Sequence, residues 1–278
     1  MNVIKKYKHS IFLWCTTGIV ALIILLPIYW IFISSLKSSQ DLFTFPIKWF
    51  PDHLTLENYK LLFTNTHIVS QVLNTMVITL FTLIITTVAC ALGAYAFNRS
   101  KSKSVSIAFG LVIFSSLIPA IVTARPLYDY MNKLKLVNTY TGLILLYTSS
   151  LIPFTTMVMK NFLDGIPVAI DEAAEIDGAN TVQKIWYVIV PIMKPAIATV
   201  CIINFISCLN EFFIPLIFSS NIELLSTGIA TIPRTNSYDI PWDLLSSMGC
   251  IILLPIIIFV VVFEKQIMDG IMAGGVKS

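Results

Sequence analysis

Five of the fifteen acidic residues crowd into one short stretch, as Asp164, Asp171, Glu172, Glu175 and Asp177. Pro167 suits the first turn of a helix, Gly178 suits its stop, and Asn180 or Thr181 can cap a second helix running towards Pro191. The stretch is therefore predicted to fold as helix, glycine break, helix. On the first helix Ile166, Ile170 and Ala174 share a face, whereas Asp171 and Glu175 form an i, i+4 like-charge pair that destabilises an isolated helix slightly. Such a surface suits a docking partner, and Ala173 with Ala174 offers a point of close backbone approach. A plainer account is that the acids favour the positive end of the helix dipole and the alanines reflect helix propensity.

The residue types needed for covalent or metal chemistry are not arranged for it. No GxxxxGK[ST] phosphate loop occurs, so ATP hydrolysis by that route is excluded. His9, His53 and His67 belong to no HExxH, and no GxSxG is present, so neither a zinc site nor a hydrolytic triad is supported. Cys15, Cys90, Cys201, Cys208 and Cys250 are scattered singly through apolar sequence, as packing residues are. No catalytic residue, cofactor or metal is expected. The remaining candidates are polar groups in apolar surroundings: Asn74, Asn204, Asn210 and Glu211. Glu211 and Asn210, beside Phe212 and Phe213, offer polar and aromatic groups suited to lining a solute path, with an interfacial location as the alternative for Glu211. The asparagines also suit hydrogen bonds between helices.

The elements that must position these groups are apolar and long. Of 278 residues 56% are hydrophobic and 12% charged, with mean hydropathy +0.84, against roughly 25% charged in soluble domains. Six segments reach the roughly 20 apolar residues that a bilayer requires, at 11–36, 70–97, 104–124, 138–159, 191–218 and 244–263. The first is too long for the apolar region of a signal peptide and reads as an uncleaved span. Eleven of the eighteen basic residues lie at the amino terminus, after the second and fourth spans and in the tail, which predicts cytoplasmic termini. The segments 37–69 and 219–243 then face outside, with Trp49, Phe50, Tyr59, Tyr238 and Trp242 suited to an interfacial belt. A net charge of +3 with no arginine-rich stripe gives no support for nucleic-acid binding.

Glu172-Ala-Ala, Gly178 and Ile189-Val-Pro191 together resemble the EAA loop of ATP-binding-cassette (ABC) importer permeases. Further segments resemble the carbohydrate-uptake branch, the maltose-type second permease subunit: Leu56-Glu-Asn-Tyr59, Tyr95-Ala-Phe97 with Arg99, Pro119 with Pro126-Leu-Tyr128, and Asn138-Thr139 with Gly142-Leu-Ile-Leu145. Asn210-Glu-Phe212 and the tail from Gly270 to Lys277 complete a likeness that covers nearly the whole chain. Val190 and Leu209 depart from the usual leucine and aromatic residue at those places.

The resemblance implies an all-α integral membrane protein of six transmembrane helices with a cytoplasmic EAA coupling-helix loop, the type I importer permease fold. It implies ATPase coupling by Glu172, Ala173, Ala174, Asp177, Gly178 and Pro191, and a substrate path touching Asn210 and Glu211. Its expected partners are a second homologous permease subunit, two cytoplasmic ABC ATPase subunits, an extracellular solute-binding protein, membrane lipid and a sugar substrate. The expected organisation is an amino-terminal tail, first span and external segment over 1–69, a five-helix core over 70–264 carrying the loop 164–190, and a cytoplasmic tail over 265–278. A permease for glycerol phosphate or a polyamine is the rival reading. Apart from Lys194 near the start of the fifth, the spans lack the basic groups an anion would need, which favours a neutral sugar or polyol. A secondary transporter would need an embedded ion site or an inverted repeat, and neither is visible.

Overall fold

The computed structural model describes residues 2–65, 67–232 and 240–275, with side chains described for 12–64, 67–232 and 240–264; Arg234, Tyr238 and Lys277 fall outside these. Among the described residues the regular structure is all helical. The helices used below are α1 (Asn2–Ser35), α2 (Glu57–Asn65), α3 (Ile68–Arg99), α4 (Lys103–Ser115), α5 (Ala120–Lys133), α6 (Tyr140–Leu163), α7 (Ala169–Ile176), α8 (Thr181–Ile192), α9 (Lys194–Asn210), α10 (Phe213–Phe218) and α11 (Trp242–Gly275).

Among the described residues four apolar stretches are long enough to cross a bilayer unbroken: Phe12–Ser35, Ile68–Arg99, Tyr140–Leu163 and Trp242–Glu264. Two more spans exist only as bent pairs, α4 with α5 at 104° and α8 with α9 at 74°, giving up to six. The segments expected to span at 104–124 and 191–218 are the ones that bend. In the first case α4, with 13 residues, reaches only about 20 Å. The hydroxyls of Ser115 and Ser116 turn back onto the carbonyls of Val112 and Ile113 at 2.7 Å each, and Pro119 forces its predecessor out of helical geometry. In the second case Pro191 and Pro195 bracket the turn at Met193, and the helix stops again at Asn210 because Glu211 is extended, with ψ 114°.

The chain divides into two compact units, one of residues 1–68 with 229–254 and one of 69–228 with 255–278. In the first unit only 6% of the Phe12–Ser35 span is buried, leaving its circumference for lipid or partners. Its end is capped by rings, Tyr29 against Phe50 at 6.0 Å and Trp30 against Trp49 at 5.5 Å. Asn58 fastens the following segment by donating to the carbonyls of Ser35 and Lys37 at 3.0 and 2.8 Å.

The second unit has two apolar cores. One gathers Ile78, Met131, Leu143, Leu146, Tyr147, Cys208, Phe218 and Leu224. The other packs Cys90, Ala91 and Ala94 of α3 against Met159 and Leu163 of α6, together with Ile166, Ile189, Met193 and Val200. Small residues on α3 allow close helix approach, the usual means of association where lipid competes with apolar side chains. Asparagines tie helices in both regions. Asn204 and Thr155 are both fully buried and bonded to each other at 3.0 and 3.2 Å, and Asn74 accepts from Tyr140 at 2.6 Å.

Candidate functional site: the acidic loop after α6

The loop folds as the sequence predicts, with α7 ending at Gly178 and α8 beginning after Asn180. Gly178 has φ +83°, a left-handed conformation that costs glycine little. Across it Ala179 donates to the Ala174 carbonyl at 2.9 Å and Gly178 to the Glu175 carbonyl at 3.0 Å, the paired closure of a Schellman stop. The Asn180 side chain then accepts from the Gln183 amide, and the Gln183 side chain from the Asn180 amide, both at 2.9 Å, closing a capping box. Further along, Lys184–Ile189 is wound as a π-helix, with Val190 N–H reaching the Ile185 carbonyl just before Pro191 removes a donor.

The face bearing Ile166, Ile170 and Ala174, expected to meet a partner, is turned inward. Ile166 is 9% exposed and Ala174 7%, and Ile166 and Ile170 pack on the core shared by α3 and α6. The outward stripe is Ala169, Glu172, Ala173 and Ile176, at i, i+3, i+4 and i+7 spacing. Ile176 is 87% exposed, next to exposed Asp177, and Tyr187 of α8 is 79% exposed beside Trp186 and Val182. A depression lined by Ala169, Ile170, Ala173, Ala174, Asp177 and Val188 lies along α7, and another by Asn180 to Gln183, Trp186 and Tyr187 lies at the start of α8.

The electrostatics also differ from the expected like-charge repulsion between Asp171 and Glu175, because each acid has its own cation. Arg99 of α3 lies 2.8 Å from Asp171, Lys160 of α6 lies 3.1 Å from Asp164, and Lys184 of α8 pairs with Glu175. Tyr95 donates to Asp171 at 2.8 Å, Asn98 to Asp164 at 2.6 Å, and Arg99 also donates to the Ile166 carbonyl at 3.2 Å. Three helices thus each hold one acid of the loop. Among the described residues Glu172 and Asp177 have no ion-pair partner and stand in solvent.

The two other candidates lie apart from this site. Asn210 is exposed at the end of α9, and the Glu211 carboxylate accepts from the amides of Phe213 and Ile214 at 2.8 and 3.0 Å, capping α10. The Glu211 carbonyl accepts from Ser226 at 2.7 Å. Pro191 is exposed near the bend between α8 and α9. Sequence reasoning left Arg99, Tyr95 and Asp171 without a role. The signal was the i, i+4 pair Tyr95 and Arg99 in the last turn of a long apolar helix, where a lone cation needs an acid from elsewhere.

Several known proteins resemble the chain over most of its length. The sulfoquinovosyl glycerol transport system permease protein of Agrobacterium fabrum is 31% identical, over 91% of this chain and 89% of that protein. The galactooligosaccharides transport system permease protein of Bacillus subtilis is 29% identical, over 99% of this chain and 98% of its own. In fold, a chain of a bacterial ABC transporter involved in the import of the acidic polysaccharide alginate superposes with TM-score 0.79 at 24% identity, covering 94% of this chain and 97% of that one. The fold is thus that of a type I importer permease. The family described as "Binding-protein-dependent transport system inner membrane component" matches residues 85–269, the stretch that includes the acidic loop and its three cationic anchors, and the chain belongs to that family.

Proposed function

We propose that this transport subunit forms half of the translocation path of an ABC importer for a sugar or oligosaccharide. Its partners in that reading are a second similar permease, two cytoplasmic ATPase subunits and an extracellular solute-binding protein. The relatives named for sulfoquinovosyl glycerol and galactooligosaccharides support the substrate class. The alginate transporter solved with an alginate pentasaccharide-bound periplasmic protein supports the last partner. The family match over 85–269 supports a translocation core over 70–264. Both termini are placed in the cytoplasm on the distribution of basic residues.

The observation that carries the reading is the division of labour on α7. Its inner side carries the buried, ion-paired Asp171 and the buried Ala174, the exposed Glu175 is tied to Lys184, and the outer side keeps Glu172, Ala173, Ile176 and Asp177 in solvent. A short helix anchored so firmly on one side and apolar and acidic on the other is a docking element. When the ATPase dimer closes around ATP it pulls on that outer face, with Gly178 and Pro191 setting the angles to α8 and α9. Ala174 is buried and acts from inside, through the carbonyl that closes the stop at Gly178. The cavity between the two permeases then switches between inward and outward access as packed elements rock. ATP is hydrolysed on the partner subunit.

The test is the complex purified from its native membranes and reconstituted in liposomes, with its binding protein and a panel of radiolabelled mono- and oligosaccharides, glycerol phosphate and spermidine. ATP-dependent uptake of one saccharide is expected. Uptake of glycerol phosphate or spermidine instead would overturn the substrate class, and uptake without ATP would overturn the importer.

A further inference from the structure

We propose that Arg99 and Asp171 form the joint through which movement of α7 is delivered to α3; the inference rests on the coupling role of α7 proposed above. Two of the helices that flank α7 need no such joint. The chain runs from α6 through residues 164–168 directly into α7, and leaves it through residues 177–180 directly into α8. For α3 the covalent route back to α7 passes through α4, α5 and α6, with a 104° bend on the way. Motion of α7 can reach α3 promptly only through space.

The contact in space includes apolar packing by Ile170, and its polar part lies near the end of α3. Arg99 reaches Asp171 Oδ2 with Nη2 at 2.8 Å, and its two terminal nitrogens share the Ile166 carbonyl at 3.2 and 3.3 Å. Tyr95 donates to the other Asp171 oxygen at 2.8 Å, and Asn98 reaches Asp164 at 2.6 Å. The grip therefore spans both ends of the segment from 164 to 171. The Arg99 and Asp171 side chains are only 14% and 8% exposed. A buried ion pair contributes little net stability, because desolvation offsets its attraction, whereas a forked guanidinium fixes position and angle. Above the joint, Cys90, Ala91 and Ala94 press against Met159, Leu163 and Ile166, so that a tilt imposed at Arg99 has a packed fulcrum. The arrangement makes Arg99, Asp171 and Tyr95 positioning residues: they touch neither nucleotide nor solute, and they set whether α3 follows α7.

The experiment uses the complete transporter in liposomes, with loaded binding protein and ATP, and reads three quantities. These are the ATPase subunits retained on purification, the rate of ATP hydrolysis, and uptake per ATP hydrolysed. Asp171→Asn and Arg99→Lys are expected to keep the ATPase subunits, while uptake per ATP falls about tenfold, a normal size for a coupling free energy. The maximal rate should fall with the half-saturating concentration of loaded binding protein unchanged. Tyr95→Phe removes a single hydroxyl and gives a smaller loss in the same ratio, and it serves if the charge variants do not fold. The exchange Arg99→Asp with Asp171→Arg should recover part of the ratio. Parental uptake per ATP in folded Asp171→Asn and Tyr95→Phe complexes would overturn the joint, as would uptake, hydrolysis and ATPase retention falling together. Glu172→Lys, measured alongside, reports on the coupling reading itself: if it retains the ATPase and transports normally, that reading fails irrespective of the result at Arg99.

Discussion

Ala179 donates its backbone N–H to the carbonyl of Ala174 at 2.9 Å, folding the chain back over Gly178 at the end of α7. Gly178 has φ +83° and open space where a Cβ would stand, so substitution there is resisted by the backbone alone. Left-handed geometry costs an ordinary residue about 1 to 2 kcal/mol and asparagine less. Transport is expected to fall in the order Gly178, Gly178→Asn, Gly178→Ala, Gly178→Val, with the subunit still inserted. Uptake by liposomes holding equal amounts of each complex checks the order, and equal uptake by all four would show that the angle between α7 and α8 is immaterial.

Glu211 is placed by the structure as the acceptor for two amides at the start of α10. Loss of those bonds leaves two part-buried donors at the start of α10 unpaired, at about 0.5 to 2 kcal/mol for a lost cap. Glu211→Ala should lower the melting temperature of the purified complex, and Glu211→Gln, which keeps an acceptor, should lower it less. A Gln variant of parental stability that no longer transports would place the carboxylate in the substrate path.

Asn204 and Thr155 are buried together and bonded to each other, linking α9 to α6. A double-mutant cycle of Asn204→Leu and Thr155→Val, read as unfolding in detergent, should show a coupling of about 0.6 to 1.7 kcal/mol. Additive single changes would mean that the pair merely fills space.

Orientation is tested by cysteine labelling in a Cys-free background. Ser102→Cys, in the basic turn after α3, and Asn180→Cys, at the start of α8, should be blocked to an impermeant reagent in intact cells, and Asn221→Cys should react. Labelling of Asn180→Cys from outside would invert the topology.

The long spans were legible because apolar composition alone sets them, and the stop at Gly178 and cap at Asn180 because one residue's local chemistry decides each. The breaks at Ser115 and Asn210 were harder to read. Apolar residues continue on both sides of each break, so the hydropathy pattern runs on while Pro119 or Glu211 turns the chain. The inward face of α7 was misassigned because Ile166 and Ile170 suit a partner's surface as well as the chain's own core. The apparent repulsion between Asp171 and Glu175 was a sequence-local inference, whereas the charges that answer it, Arg99 and Lys184, come from other helices. Pairings of this kind are set by tertiary packing, and spacing along the chain does not carry them.

Docking of the ATPase is proposed for the solvent face of α7. Its most direct measurement is the amount of ATPase subunit retained by purified Glu172→Lys and Ile176→Asp complexes, together with ATP hydrolysis stimulated by loaded binding protein, at matched permease levels. Both residues are exposed, so neither change should harm the subunit's own fold. Both variants are expected to insert normally, lose most of the bound ATPase and abolish stimulated hydrolysis. Full retention with parental stimulation in both would contradict it and leave the acidic loop a mere connector.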